Sequence, residues 1–90
     1  MRFTFDPTKQ SSNIKKHGYY LADAQKAIES RRTLTFEDNR FDYGEARFVT
    51  IGLLSDVVIV IVTTETESEI RVISMRKADK HEQKIYFEHS

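Results

Sequence analysis

Residues 56–63 read Asp56-Val57-Val58-Ile59-Val60-Ile61-Val62-Thr63, with six consecutive Val and Ile side chains inside the segment. Branching at Cβ favours extended backbone. An unbroken apolar run keeps no polar face for water, so it predicts a central strand covered on both sides. The run is far shorter than the ~20 residues a membrane-spanning helix needs. Arg47-Phe48-Val49-Thr50-Ile51 predicts a strand before it, with Gly52 to Ser55 as the turn. Glu69 to Met75 predicts a strand after it, with Thr64 to Ser68 as a polar hairpin loop. Connections this short favour antiparallel pairing.

Further out, Arg2-Phe3-Thr4-Phe5 alternates polar and apolar residues, as a short strand does. Asp6-Pro7 then predicts a helix start. The carboxylate caps free backbone N–H groups, and proline suits a first position that needs none. Gly18 is the natural stop, and Lys9, Asn13 and Lys16 share one face of this helix. Leu21, Ala24, Ala27 and Ile28 form a narrow apolar stripe on a second helix, Leu21 to Glu29. Leu34–Phe36 allows a short strand. A last helix over Lys77 to Glu88 places Ala78, Ile85 and Tyr86 inward. The expected fold is α+β, an antiparallel three- to four-stranded sheet with two N-terminal helices and one C-terminal helix, in a single domain over residues 1–90.

Composition narrows the function. With 39% hydrophobic and 11% aromatic residues, one proline and three glycines in 90 residues, the chain is neither low-complexity nor disordered. The absence of cysteine excludes disulfides, thiolate nucleophiles and Cys-ligated zinc. No basic-then-apolar leader opens the sequence, so a soluble cytoplasmic protein is expected. Net charge is zero, yet the charges are segregated. Residues 1–33 carry seven Lys/Arg against three Asp/Glu, residues 34–69 two against eight, and residues 70–90 five against three. Folding that joins the two basic ends would give one positive surface, bordered by Lys16, Arg47, Arg71 and Arg76.

The histidines and carboxylates lack metal-ligand spacing, and the glycines are isolated, so neither a metal site nor a phosphate loop is expected. What remains is a set of Lys, Arg, His, Glu and Tyr. Such a set can cleave RNA without a cofactor, because the reaction needs a base, an acid and cations for the charged phosphorane. Arg71 lies mid-strand between Ile70 and Val72 and needs an anion or solvent. It reads equally as a surface arginine paired with Glu45 or Glu69. In an ideal strand it shares a face with Ile73 and Met75. Glu45 and Arg47 stand two apart and point to one face, as a catalytic pair or a salt bridge. Arg76 and Lys77 at a helix start oppose the dipole, a cost that bound phosphate would offset. Lys9, Lys16 and His17 form a cationic helical face, and Tyr86 is amphipathic.

Taken together, Phe5-Asp6-Pro7, Lys9, Asn13, Lys16-His17-Gly18, Ala24, Glu45-Ala46-Arg47, the run Ile70-Arg71-Val72-Ile73-Ser74-Met75-Arg76-Lys77-Ala78, Glu82 and Tyr86 resemble the BrnT family of bacterial toxins. The resemblance spans about Phe3 to Tyr86. It implies a fold similar to RelE-type ribonucleases and an endoribonuclease that stops translation. It also implies a BrnA-type antitoxin with a ribbon-helix-helix domain, which would alone contact operator DNA and bring two toxins into a 2:2 assembly. On this reading Arg71, Arg76, Glu45, Arg47 and His17 are catalytic, while Lys9, Lys16, Lys77 and Tyr86 bind RNA. The chain departs from its relatives in an acidic hairpin, Thr64-Glu65-Thr66-Glu67-Ser68, in Gln83 where arginine is frequent, and in Met75 where alanine is common. These departures weaken the positive field. The alternative is a catalytically degenerate module that binds RNA or antitoxin and serves operon autorepression.

Overall fold

The computed structural model describes residues 2–30, 32–38 and 46–89. Among them, five strands and three α-helices run in the order β1 (Arg2–Phe5), α1 (Pro7–His17), α2 (Ala24–Ile28), β2 (Leu34–Glu37), β3 (Ala46–Leu54), β4 (Val57–Glu65), β5 (Glu69–Lys77) and α3 (Lys80–His89). The sheet order is β1-β5-β4-β3-β2. The Val/Ile strand β4 is therefore central, between β3 and β5, and antiparallel to both.

The sheet is mixed, a correction to the antiparallel expectation: β1 runs parallel to β5. The short-connection rule does not reach this pair, because nearly the whole chain lies between the two strands. The second helix is also shorter than expected. A single 3-10 turn, Leu21–Asp23, leads into the five residues of α2. Gly52 to Ser55 is not the turn either. Strand β3 runs through Gly52, where a Cβ would meet the Ala27 carbonyl oxygen and Thr33 Cγ2 at 3.2 Å each, so helix and strand can approach closely there. The turn is Ser55-Asp56, both at positive φ (49° and 66°), which suits a two-residue hairpin.

Helix α1 starts and stops as its sequence predicts. Asp6 Oδ1 accepts from Thr8 N at 2.8 Å, Pro7 takes the first position, and Gly18 ends the helix at φ +78°. Helix α3 begins at Lys80 rather than Lys77, because β5 continues through Lys77. Asp79 and Glu82 then bond reciprocally, Glu82 N to Asp79 Oδ1 at 2.8 Å and Asp79 N to Glu82 Oε1 at 2.9 Å, a capping box.

Alternation along β4 divides the core. Ile59 and Ile61 join Leu21, Ala24, Ala27, Val72 and Met75 on the side of α2 and the 3-10 turn before it. Val58 and Val60 join Ile51, Ala78 and Tyr86 on the side of α3. One irregularity decides where the arginines of β5 point. Val62 pairs with Ser74, but Thr63 pairs with Val72, so Ile73 is an extra residue, a β-bulge. An unbroken alternation would put Arg71 beside Met75, whose side chain is fully buried. The bulge resets the parity. Arg71, Ser74 and Arg76 then share the α3 side, while Val72 and Met75 stay in the core.

Past Phe5, β1 no longer covers the outer edge of β5. The buried side chain of Asn13, on α1, takes over there. Its Nδ2 donates to the Met75 carbonyl at 2.8 Å and to the Tyr19 carbonyl at 3.0 Å. Its Oδ1 accepts from Met75 N at 3.1 Å. Asn13→Ala strands buried backbone groups, each costing roughly 1–3 kcal/mol. Denaturant unfolding is expected to show a loss of about 2–4 kcal/mol; a loss below about 0.5 kcal/mol would mean that β5 does not depend on this amide.

Candidate functional site

Strand pairing sets four residues in a row on the α3 side: Thr4 beside Arg71, Arg71 beside Thr64, and Thr64 beside Arg47. Helix α3 covers the other end of this face, over Ile51, Val58 and Val60. Thr64 is buried between the two arginines, and Arg47 is half-buried. The Arg71 side chain is 62% exposed. It borders one hollow of about 210 Å³ with Thr4, Phe5 and Asp6, and a smaller one of about 90 Å³ with Thr64, Thr66 and Glu69.

Glu69 organises this end. Its carboxylate accepts a short hydrogen bond from the Thr4 hydroxyl and lies 3.5 Å from both Arg2 Nη2 and Arg71 Nη2. The Thr4 bond first, then the charges of Arg71 and Arg2, hold the Glu69 carboxyl below the usual range. A base so lowered is a poor proton acceptor at neutral pH. Glu69 thus anchors arginines. The ion pair with Arg71 is long, and it leaves most of the planar donor fork turned to solvent.

Arg76 stands on the same side but in a different state, which corrects its expected role as a free phosphate clamp. Its Nη1 and Nη2 donate to Glu82 Oε1 and Oε2, each at 2.8 Å. This bidentate pair ties β5 to the first turn of α3, so Arg76 is a fastening between elements. Tyr86 is also corrected. It is 1% exposed and sits in the α3-side core. Its hydroxyl donates to the Arg32 carbonyl at 2.8 Å, so its ring has no free face to stack on a base. Lys77 is exposed at the end of β5 and borders none of the hollows described. Glu45 lies outside the described residues.

The two basic segments do become neighbours, since α1 packs along β5. They do not line one concavity. Lys9, Lys16 and His17 border a hollow of about 230 Å³ with Ser12, Asn13, Ile73 and Ser74. Among the described residues it shares no lining residue with the hollows at Arg71. Ser12, Ser74, Thr4 and Thr64 were not anticipated as site residues, whereas the pairing of Glu69 with Arg71 was one of the two readings of that arginine. The serines and threonines are common surface types; helix spacing sets Ser12 beside Lys9 and Lys16, and strand register sets Thr4 and Thr64 beside Arg71. Among the described residues, no group of three or more His, Asp or Glu side chains is placed to hold a metal ion. No helix among them is long and apolar enough to cross a membrane.

Residues 5–82 match the family model described as the ribonuclease toxin BrnT of type II toxin–antitoxin systems. No curated protein matches the chain.

The Arg76–Glu82 pair carries a pH signature. Its hydrogen bonds from Arg76 hold the Glu82 carboxyl below the ordinary range. A folded-state value below the unfolded one stabilises above the unfolded value, and that contribution is lost as pH falls through the folded value. Gln keeps the capping box but removes the charge. At neutral pH, Glu82→Gln is expected to cost about 1 kcal/mol, because both groups are partly solvated. In urea titrations the gap from wild type should narrow below about pH 4.3. A gap that persists unchanged into strong acid would contradict the ionic assignment.

Proposed function

The chain belongs to the BrnT family of ribonuclease toxins of type II toxin–antitoxin systems, and we propose that it cuts RNA without a metal ion at the open sheet face around Arg71. The observation that carries this reading is the state of Arg71. Its guanidinium stands on a rigid strand, 62% exposed, with one long ionic contact among the described residues and Thr4 and Thr64 as its strand neighbours. Such a fork matches the oxygens of a phosphate.

In the proposed reaction the RNA 2′-oxygen bonds to phosphorus as the bond to the 5′-oxygen breaks. One proton leaves the 2′-hydroxyl for a base, and another reaches the departing 5′-oxygen from an acid. The products are a 2′,3′-cyclic phosphate and a 5′-hydroxyl. Charge gathers on the non-bridging oxygens, and Arg71 stabilises it more in the transition state than in the ground state. Arg47, across Thr64 in the same row, adds a second cation. Of the two candidates for proton transfer, Glu45 and His17, Glu45 is the one assigned here, because His17 borders the separate hollow with Lys9 and Lys16. Cutting RNA in the cytoplasm would stop translation. A BrnA-type ribbon-helix-helix antitoxin would hold the toxin inactive, dimerise into a 2:2 complex and supply the contacts to operator DNA.

The second reading, a degenerate module that binds RNA or antitoxin without cutting, is favoured by one observation: both arms of Arg76 are committed to Glu82. Single-turnover cleavage of a defined RNA decides between them. Arg71→Ala is expected to slow cleavage by about 10²-fold or more, and Glu45→Gln by about 10²–10⁴-fold, with wild-type cleavage unchanged in EDTA. A folded wild-type protein that binds RNA and antitoxin yet never cuts, even on ribosomes, would establish the degenerate module. Loss of activity in EDTA, restored by a divalent ion, would overturn the metal-free chemistry.

A further inference from the structure

We infer that the hollow between α1 and β5 is a second phosphate subsite, which grips the RNA strand beside the phosphate held at Arg71. The inference rests on the RNA-cleaving reading above and deepens it. Lys9, Lys16 and His17 converge on this hollow, and Ser12 and Ser74 also line it. Among the described residues no carboxylate borders it. Among the described residues neither Lys9, Lys16 nor His17 has an ion-pair partner, whereas Arg2, Lys26, Arg71, Arg76 and Lys84 each have one. Two unneutralised lysines facing one concavity repel each other, and an anion relieves that repulsion.

The floor of the hollow is preorganised. Asn13 spends its amide on Met75 and Tyr19, so it holds the helix against β5 and leaves the ligand to its neighbours. The bulge residue Ile73 and the following Ser74 form the strand side of the hollow. The position suits an RNA strand. Ser74 follows Arg71 by three residues on β5, about 10 Å along a strand. Asp6, beside Arg71, and Lys9, in the hollow, are one helical turn apart, about 5 Å. At about 3.4 Å or more per nucleotide, the second phosphate lies within about three nucleotides of the first. The ligand is thus single-stranded RNA long enough to place phosphates at both points, and a dinucleotide fills only one.

The test is binding of 2′-O-methyl oligonucleotides, which lack the attacking hydroxyl, measured by fluorescence anisotropy over a salt series. The double variant Lys9→Gln/Lys16→Gln is expected to bind a hexanucleotide about 10-fold more weakly and to lower the salt slope by about 1.4, the value for two lost phosphate contacts on a single strand. Much of the affinity gained between a dinucleotide and a hexanucleotide should disappear with it. Lys15→Gln/Lys80→Gln removes the same charge from exposed positions outside the hollow and should cost less than about twofold. Equal losses in the two double variants, or a hexanucleotide affinity unmoved in the first, would overturn the subsite. The outcome is separable from cleavage. A wild type that cuts nothing, but loses hexanucleotide binding only with Lys9 and Lys16, refutes the catalytic reading and supports the subsite. A wild type that cuts RNA and is indifferent to both lysines does the reverse.

Discussion

The amide of Asn13, closed on both backbone groups of Met75, is the interaction on which the rest of the molecule depends. Strand β5 has a strand neighbour on its outer edge only as far as Val72. Beyond that point its backbone would be exposed or unsatisfied beside a helix, either of which is costly in a small core. Asn13 presents one donor side and one acceptor side in the plane of an amide, so it completes the edge as a strand residue would. It thereby fixes α1 next to the bulge at Ile73, and the bulge turns Arg71 outward. Helix position, strand parity and arginine exposure are consequences of one short segment.

That segment also separates two arginines that look alike in the sequence. Arg71 and Arg76 lie on one strand and face one side. A carboxylate answers each, but with different geometry. Glu82 meets Arg76 through two parallel bonds of 2.8 Å, and Glu69 meets Arg71 through one contact of 3.5 Å while it also serves Thr4 and Arg2. A bidentate pair uses the fork for which a phosphate would compete. A long, shared contact leaves the fork available. Accordingly, Arg76 fastens α3 to the sheet, and Arg71 keeps most of its fork open to solvent.

Much of the fold was legible because local physics and tertiary packing agree there. The Val/Ile run of β4, the Asp6-Pro7 start and Gly18 stop of α1, and the stripe Leu21, Ala24, Ala27 all lie where periodicity and capping rules put them. The parallel pairing of β1 was hidden because a contact between chain ends leaves no local mark. Gly52 looked like a turn and is instead a close approach, a distinction made only by the helix above it. The site was less legible for a related reason. Pattern alone assigned Arg71 to the face of Met75, since a single extra residue reverses parity without changing composition. The inward position of Tyr86 is legible in the helix pattern, whereas the RNA-binding role implied by the resemblance does not fit its burial, since an amphipathic ring at a helix end serves a core as well as a surface. The segregation of basic residues correctly brought α1 and β5 together, but charge counts carry no information about which cations share a hollow.

The proposed RNA path runs along the outer edge of β5, from Arg71 past the bulge to the cationic face of α1. Titration of the isotopically labelled protein with a 2′-O-methyl hexanucleotide, followed by backbone amide NMR shifts, tests it most directly. The largest shifts are expected at residues 71–74 of β5 and 9–17 of α1, with saturation at one common affinity. Shifts concentrated on β2 and the outer face of α3, with β5 and α1 unmoved, would contradict it.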